Sequence, residues 1–372
     1  MASRTVIELD SVRKSFGSGT VAVEGLSLSV REHEVLALVG PSGCGKSTTL
    51  RMVNRLVEPT SGRILLDGED VTTTDPVALR RRIGYVIQNV GLFPHRTVEA
   101  NIATVPGLLG WDRRRTRARV AELLDLVGLP AATYAKRYPH ELSGGERQRI
   151  GVARALATDP PVLLMDEPFG AVDPEFRRHL QTEFQRIQQE TGTTVILVTH
   201  DIDEAARLGD RIAVLSRGGR LEQVASPLAV LAHPASERVR DFIGDGAASR
   251  MLSLARVQSA DLDGADRIVQ PAPAPVRLGA RLTDAFEAVA ALPASAMGRV
   301  PVVGESGDVV GSLTADGILG ALRRAADAAA QEPANGVPGD ADGAAGSGGA
   351  GATSATGATA DADDAAVTDA AS

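Results

Sequence analysis

The sequence predicts an α/β fold built on a parallel sheet covered on both faces. VLALV at 35–39, PVLLM at 161–165 and TVILV at 194–198 are continuous apolar runs. A strand buried on both faces reads as such a run, whereas a half-exposed strand alternates. Each run is followed by helix-like sequence, the alternation that marks α/β architecture. The first leads through glycines, GPSGCGKST at 40–48, directly into the helical STTLRMVNRL.

The remaining elements follow in chain order. The first thirty residues alternate apolar and polar (TVIELDSV, TVAVEGLSLSV) and read as short antiparallel strands with one face in solvent. Residues from about 96 to 157 read as mostly helical. Arg113, Arg114, Arg115, Arg117 and Arg119 crowd one stretch there, the pattern of a solvated helix face. Residues 246–265 read as a linker, and from about 266 the character changes. VRLGARLTDAFEAVAAL is a strand then a helix, and GRVPVVGESGDVVGSLTADGILGALRR is strand, turn, strand, helix. Residues 266–325 therefore form a small α/β module. Residues 326–372 are nearly all Ala, Gly, Asp, Ser and Thr. They cannot bury enough apolar surface to offset chain entropy and are expected to be disordered.

Length and composition bound the function. A chain of 372 residues suggests two or three domains. No apolar run approaches the roughly 18 residues that cross a bilayer, and MASRTVIELD lacks the apolar stretch of a signal peptide. Cys44 is the single cysteine, so no intrachain disulfide forms. These features fit a cytoplasmic protein. The formal charge of −8 is uneven: eight acids and no bases follow Arg324, leaving 39 acids to balance 39 bases in residues 1–324. Bulk charge gives no sign of a nucleic-acid partner. Lysine occurs three times only, at Lys14, Lys46 and Lys136, which sets Lys46 apart from ordinary surface charge.

GPSGCGKST matches G-x-x-x-x-G-K-[ST] between a strand and a helix, the setting a phosphate-binding loop requires. Gly40, Pro41, Ser42, Gly43, Cys44, Gly45, Lys46, Ser47 and Thr48 are the candidate nucleotide contacts. Backbone N–H groups from Ser42 to Ser47 would wrap a β-phosphate, Lys46 would reach the β- and γ-phosphates, and Ser47 would coordinate Mg²⁺. Cys44 reads as a small filler residue. In PVLLMDEP, Asp166 at the end of an apolar strand can hold Mg²⁺ through water, and Glu167 can accept a proton from an attacking water. Two such acids can equally cap the next helix. Gln88, after the strand in YVIQNVGLFPH, can ligate Mg²⁺ and orient water, or be a plain loop residue. His200 ends TTVILVTHD, at the edge where such sheets bind ligands. It can donate to a γ-phosphate and steady the water–Glu167 pair, or simply cap. Phe16 can stack on adenine or be a core aromatic.

LSGGERQR at 142–149 has exposed backbone N–H groups at a second helix start, which suits an anion. Ser143 and Glu146 also have capping-box spacing, which needs only to start a helix.

In this order, GPSGCGKST, Gln88, LSGGERQR, VLLMDEP, GAVD at 170–173 and VTHD resemble the motifs of the ATP-binding cassette (ABC) ATPases, over residues 4–245. The resemblance implies a RecA-like core, an antiparallel β subdomain and a helical subdomain near 96–157. It implies ATP with Mg²⁺, metal contacts from Ser47, Gln88 and Asp166, and hydrolysis by Glu167, His200 and Gln88. In that family two cassettes pair head to tail, so Ser143, Gly144 and Gly145 would meet a γ-phosphate held by the partner subunit. Asp173 would line the interface, and Phe16 takes the place of the adenine-stacking aromatic. GAVD departs mildly from the more usual SALD.

Only 54 residues separate Gln88 from Ser143, too few for the coiled coil of repair-type members, and translation-type members carry two cassettes. A transporter ATPase with separate permease subunits remains, peripheral at the cytoplasmic face of the membrane. A soluble ABC protein acting without a permease is the alternative. IGYVIQNVGLFPHRTVEANIATVP, THDIDEAARLGDRIAVL and LAHPASERVRDFIG are similar to importers of quaternary amine osmoprotectants such as glycine betaine, choline and carnitine. Polyamine and sulfonate importers share much of this. The likeness implies a permease groove at residues 88–101 and, indirectly, an extracellular substrate-binding protein. RVPVVGESGDVVGSLTADGIL resembles a CBS module, in one copy. The family's Thr with Asp three residues on becomes Thr314 with Gly317, Asp316 falling one residue early.

Overall fold

The computed structural model describes residues 4–17, 19–88, 90–264, 274–292 and 298–331. Strands β1 (Thr5–Ser15), β2 (Val21–Arg31), β4 (Ser61–Leu66) and β5 (Glu69–Asp70) form an antiparallel sheet in the order β2-β1-β4-β5. Inward side chains alternate along β2 at Leu26, Leu28 and Val30, whereas bulges break the alternation of β1, which buries Val6, Ile7, Leu9 and Val12.

The central sheet has the order β10-β9-β3-β8-β7-β6. It uses β3 (Val35–Val39), β6 (Ile83–Val86), β7 (Val162–Asp166), β8 (Thr194–Val198), β9 (Arg211–Ser216) and β10 (Arg220–Ala225). All pairs are parallel except β9–β10. Every residue of β3, β7 and β8 is buried, as continuous apolar strands demand. Leu36, Leu38, Leu164, Ile196 and Val198 join the core under the antiparallel sheet. Val35, Leu163, Met165, Val195 and Leu197 face the helical side instead.

Helix α1 (Lys46–Val53) follows β3, and α2 (Pro76–Arg81), capped by Asp75, precedes β6. The stretch between β6 and β7 is helical: α3 (Val98–Ile102), α4 (Thr104–Leu108), α5 (Arg113–Leu126), α6 (Ala131–Tyr134) and α7 (Gly144–Ala155). Arg113, Arg114, Arg115 and Arg117 lie in solvent on α5. Arg119 departs from that expectation, donating to Leu156 O (3.0 Å) and pairing with Glu122 (2.6 Å) and Asp159. Helix α8 (Pro174–Thr191) joins β7 to β8, and α9 (Ile202–Leu208) joins β8 to β9. Helices α10 (Pro227–Ala232) and α11 (Glu237–Ile243) follow β10.

The C-terminal module has a three-stranded sheet, β11-β12-β13, of β11 (Val276–Arg277), β12 (Arg299–Val303) and β13 (Val309–Thr314). Helices α13 (Leu282–Ala290) and α14 (Ala315–Ala330) pack on it. The structure corrects two boundaries. Residues expected as a linker at 246–265 contain α12 (Ala247–Leu254) and a 3₁₀ turn at Ser259–Asp261. Ala255 and Val257 are buried in the module's core, and Asp263 bridges to Ser312. Apolar residues too sparse to show periodicity gain their partners from the strands that follow. The module's last helix runs five residues into the segment expected to be disordered; residues 332–372 lie outside those described. Thr314 accepts the Gly317 N–H (3.1 Å), so here it caps α14.

Candidate active site

The strand ends of β3, β7 and β8 meet at one edge of the central sheet, and the polar motifs sit there. Gly40, Gly43 and Gly45 have φ of 147°, 76° and 110°. A Cβ at Gly40 would lie 2.2 Å from Leu215 O, and one at Gly45 only 2.4 Å from Ala22 O. Glycine is required at both by backbone conformation and by close approach. Cys44 is fully buried between them, which makes it the filler. Pro41, Ser42 and Gly43 are exposed, and Lys46 is 6% exposed. Its Nζ donates to Gly40 O (2.7 Å) and Pro41 O (3.1 Å), drawing the charge into the loop's own concavity. Ser47 and Thr48 begin α1 half-buried.

Ser47 Oγ donates to Asp166 Oδ1 at 2.9 Å. Asp166 is 1% exposed, and burial pushes its carboxyl above the usual range, against the Ser47 hydrogen bond and the Arg51 and Lys46 charges. The next residue, Glu167, has φ of 48°. A left-handed glutamate is strained and must be held by its surroundings. Its N–H donates to Val198 O (2.9 Å), and its carbonyl accepts from Gln148 Nε2 (3.0 Å). Its carboxylate is held at both oxygens. Gln88 Nε2 donates to Oε2 at 3.0 Å, and His200 Nδ1 lies 3.1 Å from Oε1. Three segments far apart in sequence converge on one carboxylate. Helix capping, the competing reading of Glu167, is not its role: α8 is capped by Asp173, which accepts the Phe176 N–H at 2.9 Å. His200 caps nothing either, since Asp201 caps α9.

Ser143 and Glu146 form the capping box at the start of α7. The Ser143 N–H donates to Glu146 at 2.7 Å, holding that carboxyl below the ordinary range. Ser143 and Gly144 remain exposed. Gly145 approaches the 170–173 loop so closely that a Cβ would meet Ala171 O at 3.3 Å. Phe16 is 45% exposed, with Lys14 Nζ 5.1 Å from its ring centroid; it is no core aromatic.

Three residues escaped sequence reasoning. Gln148, 2% exposed, fixes the Glu167 carbonyl. Arg154 donates to Val90 O (2.6 Å) and Gly91 O (2.7 Å), fastening the segment after Gln88 to α7. Fully buried Asn101 donates to Phe93 O, Arg96 O and Thr97 O and accepts from Phe93 N, so it ties both ends of the 93–97 loop to α3. The signal available for Gln148 was a polar residue on the stripe shared with Val152 and Ala155.

A glycine loop at the end of β3, a buried lysine and paired acids at the end of β7, one strand beyond β8, define a P-loop nucleotide-binding protein. The family described as ABC transporter matches residues 23–170. The osmoprotectant import ATP-binding protein OsmV of Salmonella typhimurium is 54% identical over 253 residues, 67% of this chain and 66% of that protein. The choline transport ATP-binding protein OpuBA of Bacillus subtilis is 46% identical over 282 residues, 76% and 72% of the two chains. The chain thus spans about two thirds of the length of these relatives. A solved dimeric ATP-binding cassette in a post-hydrolysis state, bound to ADP and Pi, superposes with a TM-score of 0.55 at 33% identity, covering 59% of this chain and 98% of its own. The chain belongs to the ATP-binding proteins of ABC transporters.

Proposed function

We propose that this protein is the ATP-hydrolysing subunit of an importer for quaternary amine osmoprotectants such as glycine betaine, choline or carnitine. The observation that carries the hydrolytic part is the Glu167 carboxylate, gripped by Gln88 and His200 at its two oxygens. The names of the relatives at about 50% identity support the substrate class.

Glu167 takes the proton of the attacking water, as a positioned general base does. His200 and Gln88 fix its rotamer, and the His200 ring can turn its other nitrogen toward a γ-phosphate. Gly40 to Thr48 cradle the nucleotide phosphates, Lys46 exchanging its carbonyl partners for phosphate oxygens. Phe16 stacks on the adenine. The donors at Ser47, Asp166 and the Gln88 amide are hard oxygens, two of them already 2.9 Å apart, which suits Mg²⁺. When bound, that ion neutralises charge developing on the β- and γ-phosphates.

Ser143 and Gly144 stand exposed and Gly145 half-buried at the start of α7, ready for a phosphate in a second, head-to-tail copy. Asp173 sits beside that interface. ATP binding closes the pair and hydrolysis reopens it. No helix among the described residues is long and apolar enough to cross a membrane. The protein would work at the cytoplasmic face with separate permease subunits, receiving a coupling helix at 88–101, and indirectly with an extracellular binding protein.

Glu167→Gln should lower turnover by about 10²–10⁴-fold, the range for loss of a general base, while nucleotide affinity stays within about twofold. Single-turnover hydrolysis and equilibrium ATP binding measure the two. Near-normal hydrolysis in this variant would remove Glu167 from the role of base.

A further inference from the structure

Helix α9 begins two residues after His200, and Glu204 in its first turn is 8% exposed. Its carboxylate lies against the turn that carries His200. Thr199 Oγ1 donates to Glu204 Oε2 at 2.6 Å, and the same hydroxyl accepts the Asp201 N–H at 3.1 Å. Thr199 is itself pinned by its N–H to Leu38 O (3.2 Å). His200 is therefore the middle residue of a turn whose two flanks are held by one hydroxyl.

Glu204 Oε1 is buried without a hydrogen-bond partner among the described residues. A buried carboxylate in that condition is costly. A place in the first turn of α9 offsets part of that cost for any acid; the hydrogen bond from Thr199 gives this one a second task at the turn carrying His200.

We infer that Glu204 is a positioning residue for ATP hydrolysis: through the Thr199 hydroxyl, its carboxylate holds the turn that presents His200 to Glu167. The inference rests on the roles proposed above for Glu167 and His200. The charged groups facing Glu204 are Asp201 and His200 from its own loop and Arg177 from α8. Burial pushes the carboxyl up to about 7 and Asp201 adds to the rise, while Thr199, Arg177 and His200 draw it back.

The test uses the full chain and steady-state ATPase kinetics. Glu204→Leu and Thr199→Val should each lower kcat about tenfold, with KM for ATP within about twofold, because the tie acts on the reacting geometry rather than on nucleotide binding. Thr199→Ser, which keeps the hydroxyl, should restore wild-type kcat. The double variant Glu204→Leu/Thr199→Val should lose no more than about tenfold, since both changes cut one link. Losses that multiply to about 100-fold in the double variant, a wild-type kcat in either single variant, or equal impairment by Ser and Val at position 199 would each overturn the inference. Should Glu204→Leu fold poorly, the Thr199 pair decides alone, because it leaves the carboxylate in place. Failure of the underlying reading shows separately, as persistent hydrolysis in Glu167→Gln.

Discussion

The nucleotide-facing edge of the central sheet and the C-terminal module are built from similar strands and helices, yet they invest their buried volume differently. At the sheet edge, Lys46, Asp166, Thr199 and Glu204, at or shortly after strand ends, and Gln148 of α7 are buried polar or charged groups, and Glu167 adds a strained backbone. In the module, Ser312 is the buried polar residue among those described, and Leu282, Val300 and Val302 are fully buried. Burying polar groups costs stability unless every one is paired. The contrast teaches where selection for chemistry has overridden selection for stability.

One substitution made in both regions should separate them most sharply. Gly45→Ala forces a side chain onto Ala22 O at a φ of 110°. The strain and overlap together amount to about 3 kcal/mol, equivalent to about a 100-fold loss of ATP affinity. Gly279 in the module also has positive φ, 81°, but open space around it. Gly279→Ala should cost about 1 kcal/mol of stability and leave ATP affinity unchanged. Equal effects of the two changes on ATP affinity would dissolve the distinction; isothermal titration and thermal melts measure it.

The same contrast governs what was legible beforehand. The sheet edge was readable because phosphate chemistry fixes residue types at fixed spacing: GPSGCGKST, DEP and THD each carry their function in consecutive letters. The antiparallel strands and the helical stretch were readable from periodicity alone. Gln148 and Arg154 were missed because their roles are hydrogen bonds to carbonyls distant in sequence, at Glu167 and at Val90 and Gly91. Any long polar side chain could stand there as a surface residue, and only the fold brings the carbonyls within reach. The module's beginning was misplaced for a related reason. Met251, Leu252, Ala255 and Val257 find their partners in strands that come later, so no local pattern announces them.

Glu204 converts the contrast into a pH dependence. Its carboxyl rises from the ordinary 4.5 to about 7 on folding, chiefly by burial. Between those values the folded state binds the proton and the unfolded state releases it, so stability falls as pH rises through the window. A shift of this size corresponds to about 3 kcal/mol, present below pH 4.5 and lost by about pH 7. Glu204→Gln removes the titrating group. The stability difference between variant and wild type should therefore move in the variant's favour by up to about 3 kcal/mol from pH 5 to pH 8, as measured by denaturant unfolding. Parallel stability–pH curves would show that Glu204 does not change its protonation on folding.

The smallest effects should come where the module meets the rest of the fold. Arg250 Nε pairs with Asp203 Oδ1 at 2.8 Å, joining α12 to α9, and the Asp203 side chain is 62% exposed. Exposed pairs of this kind contribute about 0.5 kcal/mol. Met251, the next residue, packs against both the α9–α11 core and the module's own core, and trimming it to alanine removes contacts from two clusters at once. Met251→Ala should therefore cost about 2 kcal/mol, the low end for a large-to-small change because the side chain is only partly buried, and Asp203→Asn about 0.5 kcal/mol or less. The opposite ranking would mean that charge, not apolar packing, seats the module beside the helix carrying Glu204, and would bring that junction under the same electrostatic rules as the nucleotide-facing edge.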